Sequence, residues 1–144
     1  IPAGIRVPQM IQNIDYAPTF LQAAGMEVSQ DIQGESLVTL MEGEQPDQWR
    51  DSIYYHYYEF PGAHSVRRHE GVAQNRYKLI RYYGNDIPNG EEWEFYDLKQ
   101  DPKEMKSQYG NPEYQGKIDE LKKELLRLRK QYEVPDDHGQ ASTK

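Results

Sequence analysis

Apolar residues in the last third of the chain recur at three- and four-residue spacing, which is the pattern of a helix with one buried face. Asn111 is a suitable cap for this helix, and Pro112 suits its first turn. The repeat is too short for a coiled coil, so the pattern favours a helix docked on a neighbouring layer. We therefore predict a helix over residues 112–132. Its apolar positions are Tyr114, Ile118, Leu121, Leu125, Leu128 and Tyr132.

Short runs of aromatic and β-branched residues upstream predict the layer on which this helix packs. The first run covers residues 52–60, and the next covers residues 70–83 with Gln74-Asn75-Arg76 at its centre, which predicts a hairpin. A further run covers residues 94–98. The fold class expected for residues 46–134 is therefore α+β, with a small antiparallel β-sheet packed against a long C-terminal helix.

Residues 1–45 have a different pattern, in which a strand is followed by a helix. We predict an edge strand over residues 7–14 and a helix over residues 16–25, with Asp15 as its N-cap or first-turn acid and Gly25 as its end. A second short helix is expected over residues 36–43, before a polar linker.

The apolar face of the 16–25 helix has too little sheet in this segment to cover it. That face carries Phe20, Leu21 and Ala24. Since a helix must bury its apolar face against another layer, we interpret residues 1–45 as a strand–helix piece of a larger domain. Residues 135–144 are polar and are expected to form a flexible tail.

Composition excludes several classes of function. The net charge of −7 and the pI of about 5.1 argue against a general nucleic-acid binder, because such proteins need a basic face. The chain has no cysteine, so thiol chemistry and thiolate metal sites are excluded. No run of residues approaches the length of a membrane span, and no association with a membrane is expected.

One segment is basic in this acidic chain. Residues 61–81 contain five Lys or Arg against one acid, and the candidate anion-binding side chains are His64, Arg67, Arg68 and His69. The alternative is charge balance, because residues 86–104 contain seven acids and two lysines. A metal site at the two histidines is disfavoured, since their five-residue spacing matches no zinc pattern. Composition alone does not decide between anion binding and charge balance as the role of this segment.

Several stretches together resemble the sulfatase family, which belongs to the alkaline-phosphatase superfamily. Residues 76–80, 93–98 and 101–104 resemble its C-terminal subdomain, with the sequences Arg-Tyr-Lys-Leu-Ile, Trp-Glu-Phe-Tyr-Asp-Leu and Asp-Pro-Lys-Glu. Residues 13–21, followed by Gly25 and residues 33–37, resemble the closing strand, helix and loop of its α/β catalytic domain. The resemblance therefore implies that residues 1–45 are the C-terminal remnant of that domain. The resemblance extends to about Tyr132.

The resemblance implies a role for the basic segment. In similar sulfatases the corresponding loop leans over the active site, so His64 and His69 become candidate substrate contacts, with Arg67 and Arg68 as weaker ones. The implied parent enzyme is periplasmic, secreted or lysosomal and hydrolyses sulfate esters of sulfated sugars, using calcium and a formylglycine made within a Cys/Ser-x-Pro-x-Arg motif.

This chain contains no such motif, so no catalytic or metal-binding residue is predicted in it and the isolated chain is expected to be inactive. Its expected partners are an N-terminal catalytic portion and a sulfated sugar. Two alternatives remain open: a non-catalytic module that binds anionic polysaccharide, and a piece of a related phosphatase or phosphodiesterase.

Overall fold

The computed structural model describes residues 1–60, 62–63 and 65–136. The chain divides into two compact units, Ile1–Ile53 and Tyr54–Lys144, with the division inside the first strand of the sheet. Three helices and four strands occur in the described residues. They are helices α1 (Tyr16–Ala23), α2 (Val38–Met41) and α3 (Gln115–Gln131), and strands β1 (Ser52–Tyr57), β2 (His69–Gln74), β3 (Tyr77–Tyr83) and β4 (Glu91–Asp97).

The strand predicted over residues 7–14 is wrong. Residues 7–12 are irregular, and a short 3-10 turn at Asn13–Asp15 leads directly into α1. The reason is local, because the carboxylate of Asp15 accepts a hydrogen bond from the backbone N–H of Gln12 at 2.7 Å and turns the chain. Helix α1 ends before Gly25, whose φ of 71° makes it the predicted stop.

Asp15 links several segments of the first unit and does more than cap a helix. Its side chain is fully buried and also accepts hydrogen bonds from the backbone N–H of Glu35 at 2.9 Å and from both terminal nitrogens of Arg50. Burial alone would raise the pKa of this carboxyl, but the Arg50 and backbone hydrogen bonds lower it below its ordinary value. One carboxylate therefore joins three separate segments of the first unit.

The apolar face of α1 is only partly covered. Phe20 is 71% exposed and Tyr16 is 52% exposed, whereas Leu21 is partly buried. Exposure of a large aromatic side chain on a short amphipathic helix is unusual, because burial of such a ring stabilises a protein by about 1.5–3 kcal/mol. Phe20 is thus uncovered, as the sequence pattern predicts.

The second unit contains the predicted antiparallel sheet, with the strand order β1-β2-β3-β4. Strands β2 and β3 form the predicted hairpin, with Gly71 opposite Ile80, and β3 pairs antiparallel with β4, with Leu79 opposite Phe95. One face of this sheet meets α3. The core between them consists of Val72, Leu79, Phe95, Ile118, Leu121, Leu125 and Leu128.

The helix prediction is confirmed together with its cap. The side chain of Asn111 accepts a hydrogen bond from the backbone N–H of Glu113 at 3.1 Å, and a 3-10 turn at Pro112–Tyr114 precedes α3. The four aliphatic residues of the predicted stripe are buried, while Tyr114 and Tyr132 pack at its ends. Of the predicted tail, residues 137–144 lie outside the described residues.

A buried carboxylate links the sheet to the helix. Glu70 of β2 is fully buried on the α3 side and accepts hydrogen bonds from Tyr54 Oη at 3.0 Å, from Arg81 Nη1 at 3.1 Å and from Arg129 Nη1. Burial and the neighbouring Glu70 raise the pKa of Tyr54, so its hydroxyl remains a donor. Strands β1, β2 and β3 and helix α3 therefore meet at a single side chain.

Asp97, at the end of β4, is a second buried carboxylate. Arg76 donates to its two oxygens at 3.0 and 2.7 Å, Tyr114 Oη donates at 3.1 Å, and the backbone N–H of Lys99 donates at 3.1 Å. The Arg76 hydrogen bond is the main cause that lowers the pKa of Asp97 to about 2, against the opposing effect of burial.

The pKa of Asp97 gives a prediction about the dependence of stability on pH. Because the folded-state pKa lies below the unfolded one, the charged group stabilises the fold above about pH 4, and this contribution is lost as the pH falls towards 2. We expect Asp97→Asn to lower the free energy of unfolding by about 1–3 kcal/mol at pH 7. In acid titrations followed by denaturant unfolding, the difference from wild type should shrink between pH 4 and pH 2. A constant difference across that window would contradict the assignment.

A second prediction concerns Gly71, on the face of the sheet opposite to α3. A Cβ atom there would lie 2.4 Å from Tyr55 Oη and 2.7 Å from the backbone oxygen of Leu79. Since the Leu79 backbone is held in the sheet, Gly71→Ala should lower the free energy of unfolding by about 1–3 kcal/mol. Gly116→Ala in α3 is the matched control, because beyond its chain neighbours and its own helix backbone no atom lies within 4 Å of its Cβ position, and we expect it to be neutral or stabilising. Equal thermal stabilities of the two variants would contradict this packing.

Candidate functional site

Strand alternation places the basic segment next to an aromatic and acidic face of the sheet. Val72 and Glu70 face α3, so His69 and Gly71 point to the opposite face. The register then places Tyr82 of β3 and Glu92 of β4 in one row with His69. This row is the starting point of the candidate site.

His69 is enclosed by three tyrosine rings. Its imidazole stacks on Tyr57 at a centroid distance of 5.6 Å, lies 5.4 Å from Tyr82, and meets Tyr55 edge to face at 6.1 Å. The Tyr55 and Tyr57 hydroxyls are buried without a hydrogen-bond partner in the part of the chain that the structure describes. The rings hold the imidazole in one orientation.

A hydrogen bond to the backbone places a proton on one ring nitrogen of His69. Its Nδ1 lies 2.8 Å from the backbone oxygen of Arg67, and because a carbonyl can only accept, Nδ1 carries the proton. The other ring nitrogen, Nε2, has no hydrogen-bond partner among the described residues. In the neutral ring Nε2 can accept from a hydroxyl, and in the protonated ring it can donate to an anion.

Arg68 holds the base of the loop. Its Nε donates to the backbone oxygen of Tyr58 at 3.0 Å and its Nη2 donates to that of Phe60 at 2.8 Å, while its own oxygen accepts from the backbone N–H of Tyr83 at 3.3 Å. These contacts tie the end of β1 to the start of β2. The guanidinium therefore serves the fold of the loop directly.

Arg67 differs from the other cations of the segment. Its guanidinium is 48% exposed and lies 4.0 Å from a carboxylate oxygen of Asp86 and 3.7 Å from one of Glu92. Both distances exceed hydrogen-bond range. Arg67 is thus held near two acids by charge alone.

The remaining cations make direct contacts. Arg76 binds Asp97, Lys78 donates to Glu104 at 2.7 Å, and Arg81 donates to Glu91 at 3.0 Å as well as to Glu70. These are pairs of the kind that charge balance predicts. These pairs involve most of the cations of the basic segment. Arg67 has the weakest contacts among these cations.

The sequence prediction missed several members of the site. The predicted contacts do not include Tyr57, Tyr82, Asp86 or Glu92. Strand alternation and the hairpin register contain the signal for Tyr82 and Glu92. The predicted contact His64 lies outside the described residues. A groove of about 510 Å³ adjoins the site at the end of β1 and is lined by His56, Tyr57, Tyr58 and Glu59.

The described residues do not offer a site for the calcium that the sulfatase resemblance implies. Within residues 1–60, 62–63 and 65–136, no group of three or more His, Cys, Asp or Glu side chains is arranged to hold a metal ion. In the same residues, no helix has the length and apolar character needed to cross a bilayer.

Comparison with known proteins gives consistent matches over almost the whole chain. The sequence family described as N-sulphoglucosamine sulphohydrolase, C-terminal, matches residues 1–131. An N-acetylglucosamine-6-O-sulfatase of Bacteroides thetaiotaomicron is 48% identical over 138 residues, which is 94% of this chain and 24% of that protein. An ulvan-active sulfatase of Formosa agariphila is 30% identical and covers 83% of this chain and 25% of that protein.

A solved structure supports the same relationship. It is described as a complex with its substrate D-glucosamine-2-N,6-O-disulfate, and it matches 88% of this chain with a TM-score of 0.80 and 47% sequence identity. This chain corresponds to 25% of that protein. The chain thus spans about a quarter of the length of the relatives it matches.

Proposed function

The chain belongs to the sulfatase family through its match to the N-sulphoglucosamine sulphohydrolase C-terminal family, and from that premise we propose that it is the C-terminal part of a sulfatase that hydrolyses sulfate esters of a sulfated sugar. The observation that carries the proposal is the 48% identity to an N-acetylglucosamine-6-O-sulfatase over 94% of the chain. Together with the disulfated glucosamine bound by the similar solved structure, it favours a sulfated glucosamine as substrate.

In this proposal the chain supplies sugar contacts and leaves the sulfate chemistry to another portion of the protein. The 144 residues contain no Cys/Ser-x-Pro-x-Arg motif that could yield a formylglycine. Formylglycine and calcium, which supply the nucleophile and the charge stabilisation in such enzymes, would belong to a preceding catalytic portion. We assign no catalytic residue to this chain.

The contacts would come from the loop around His69. Its oriented Nε2 is suited to a sugar hydroxyl, and the exposed guanidinium of Arg67 is suited to an anionic substituent. Arg68 would hold the loop in place through its two backbone contacts. His64 is proposed as a further contact from the sulfatase resemblance alone.

The exposed face of α1 fits the same proposal. Phe20 and Tyr16 offer an uncovered aromatic surface, and a preceding catalytic portion would cover it. Without that cover the first unit should be less protected than the sheet and α3. This packing partner is the N-terminal portion expected from the sequence.

The coding sequence upstream of Ile1 tests the proposal as a whole. A Cys/Ser-x-Pro-x-Arg motif within a sulfatase domain would support it. A Thr or Ser nucleophile with ligands for two metal ions would instead indicate a phosphatase or phosphodiesterase. If no catalytic domain is encoded there, the chain would be a binding module for anionic polysaccharide and the proposal would fail.

The sugar contacts give a kinetic prediction for the sulfatase that contains this chain. We expect His69→Ala or His64→Ala to lower kcat/KM on a 6-O-sulfated glucosamine while leaving a small aryl sulfate almost unchanged, because an aryl sulfate lacks the sugar. The loss should be about 0.5–1.5 kcal/mol for an uncharged hydroxyl and about 1.5–3 kcal/mol for an anionic group.

The aryl sulfate serves as the control inside each assay. Equal losses on both substrates would mean that the histidines support the sulfate pocket or the fold, and a melting curve separates these two cases. If neither substrate is affected, the loop has no part in binding and its assignment is wrong.

A further inference from the structure

We propose that Arg67 is an exchangeable anion-binding residue, which leaves Asp86 and Glu92 in order to bind an anionic oxygen of the sulfated sugar. Asp86 and Glu92 are then competitors of the substrate, and they set how tightly it binds. The inference rests on the proposed function of the loop. Asp86 and Glu92 then have a role beyond charge balance.

Arg67 and Arg76 differ in how firmly their guanidinium groups are held. Their side chains are almost equally exposed, at 48% and 46%. Arg76 donates two hydrogen bonds of 3.0 and 2.7 Å to the buried Asp97, whereas Arg67 lies 3.7 and 4.0 Å from its carboxylates. Since exposure is matched, the difference lies in how firmly each guanidinium is held.

The partners of Arg67 are themselves held loosely. The Glu92 side chain is 59% exposed and that of Asp86 is 30% exposed. Ion pairs between exposed side chains stabilise a protein by at most about 1 kcal/mol. A planar guanidinium can form two short hydrogen bonds with a sulfate group, so exchange of the partner is favourable.

The backbone beneath Arg67 is fixed even though its side chain is not. The oxygen of Arg67 is bound by His69 Nδ1, and the oxygen of the next residue, Arg68, is bound by the N–H of Tyr83. An anchored backbone with a loosely held guanidinium suits exchange, because only the side chain has to move. The same hydrogen bond ties Arg67 to His69, the other proposed contact of the loop.

Two carboxylates, those of Asp86 and Glu92, share the single positive charge of Arg67. An approaching anion is therefore opposed by Asp86 and Glu92 until Arg67 leaves them. Neutralising Glu92 should strengthen anion binding, and neutralising Arg67 should weaken it. If Arg67 and Glu92 only balance each other's charge, neutralising either residue should leave anion binding unchanged.

The experiment is a binding titration of the full-length protein with D-glucosamine-2-N,6-O-disulfate at low salt, with the Cys or Ser that yields the formylglycine replaced by Ala so that the sugar is not hydrolysed. We expect Arg67→Gln to weaken binding about tenfold and Glu92→Gln to strengthen it about two- to fivefold. Arg127→Gln and Glu120→Gln on α3 are matched controls, because both residues are 57% exposed and each forms a helix-surface ion pair. Both controls should bind as wild type does, and all four variants should melt within a few degrees of it.

Separate outcomes would overturn the inference and the proposed function. If Arg67→Gln binds as wild type while His69→Ala binds weakly, the exchange is wrong and the loop still contacts sugar. If Glu92→Gln weakens binding, Glu92 is a substrate contact and its role as a competitor is wrong. If neither Arg67→Gln nor His69→Ala changes binding, the proposed function of the loop fails with the inference.

Discussion

The sheet and helix of the second unit depend on the burial of one charged group. The carboxylate of Glu70 is fully buried. Its burial is tolerated because Tyr54, Arg81 and Arg129 donate hydrogen bonds to it. Removing any one of these donors would leave a buried acceptor without that partner, which in proteins costs about 1–3 kcal/mol. The same side chain fixes which face of β2 meets α3. Its neighbour His69 must then point to the opposite face.

That opposite face combines a fixed framework with one loosely held cation. The tyrosine rings orient His69, and Arg68 closes the base of the loop. Most of the positive charge is committed to short hydrogen bonds, which is the arrangement of a structural network. Arg67 alone combines high exposure with contacts beyond 3.5 Å among the described cations of residues 65–81. Charge balance therefore accounts for the firmly held cations and leaves Arg67 able to change its partner.

The sequence predicted best what depends on nearby residues. The helix stripe of residues 112–132 and the hairpin at Gln74 were visible because each is encoded within one short segment. The strand over residues 7–14 failed because a single contact from Asp15 to Gln12 turned the chain. Glu70 could not be recognised as buried, since its partners lie 16, 11 and 59 residues away. The pairing of Arg67 with Glu92 likewise depends on a loop and a register that only the folded sheet defines.

Arg67 is held less firmly than Arg76, although their side chains are almost equally exposed. Reaction of the chain with phenylglyoxal, followed by peptide mass spectrometry, measures this directly because the reagent needs a guanidinium that is free to react. Arg67 and Arg76 are the decisive pair, at 48% and 46% exposure. We predict that Arg67 is modified several-fold faster than Arg76. Equal rates, or faster modification of Arg76, would contradict the account.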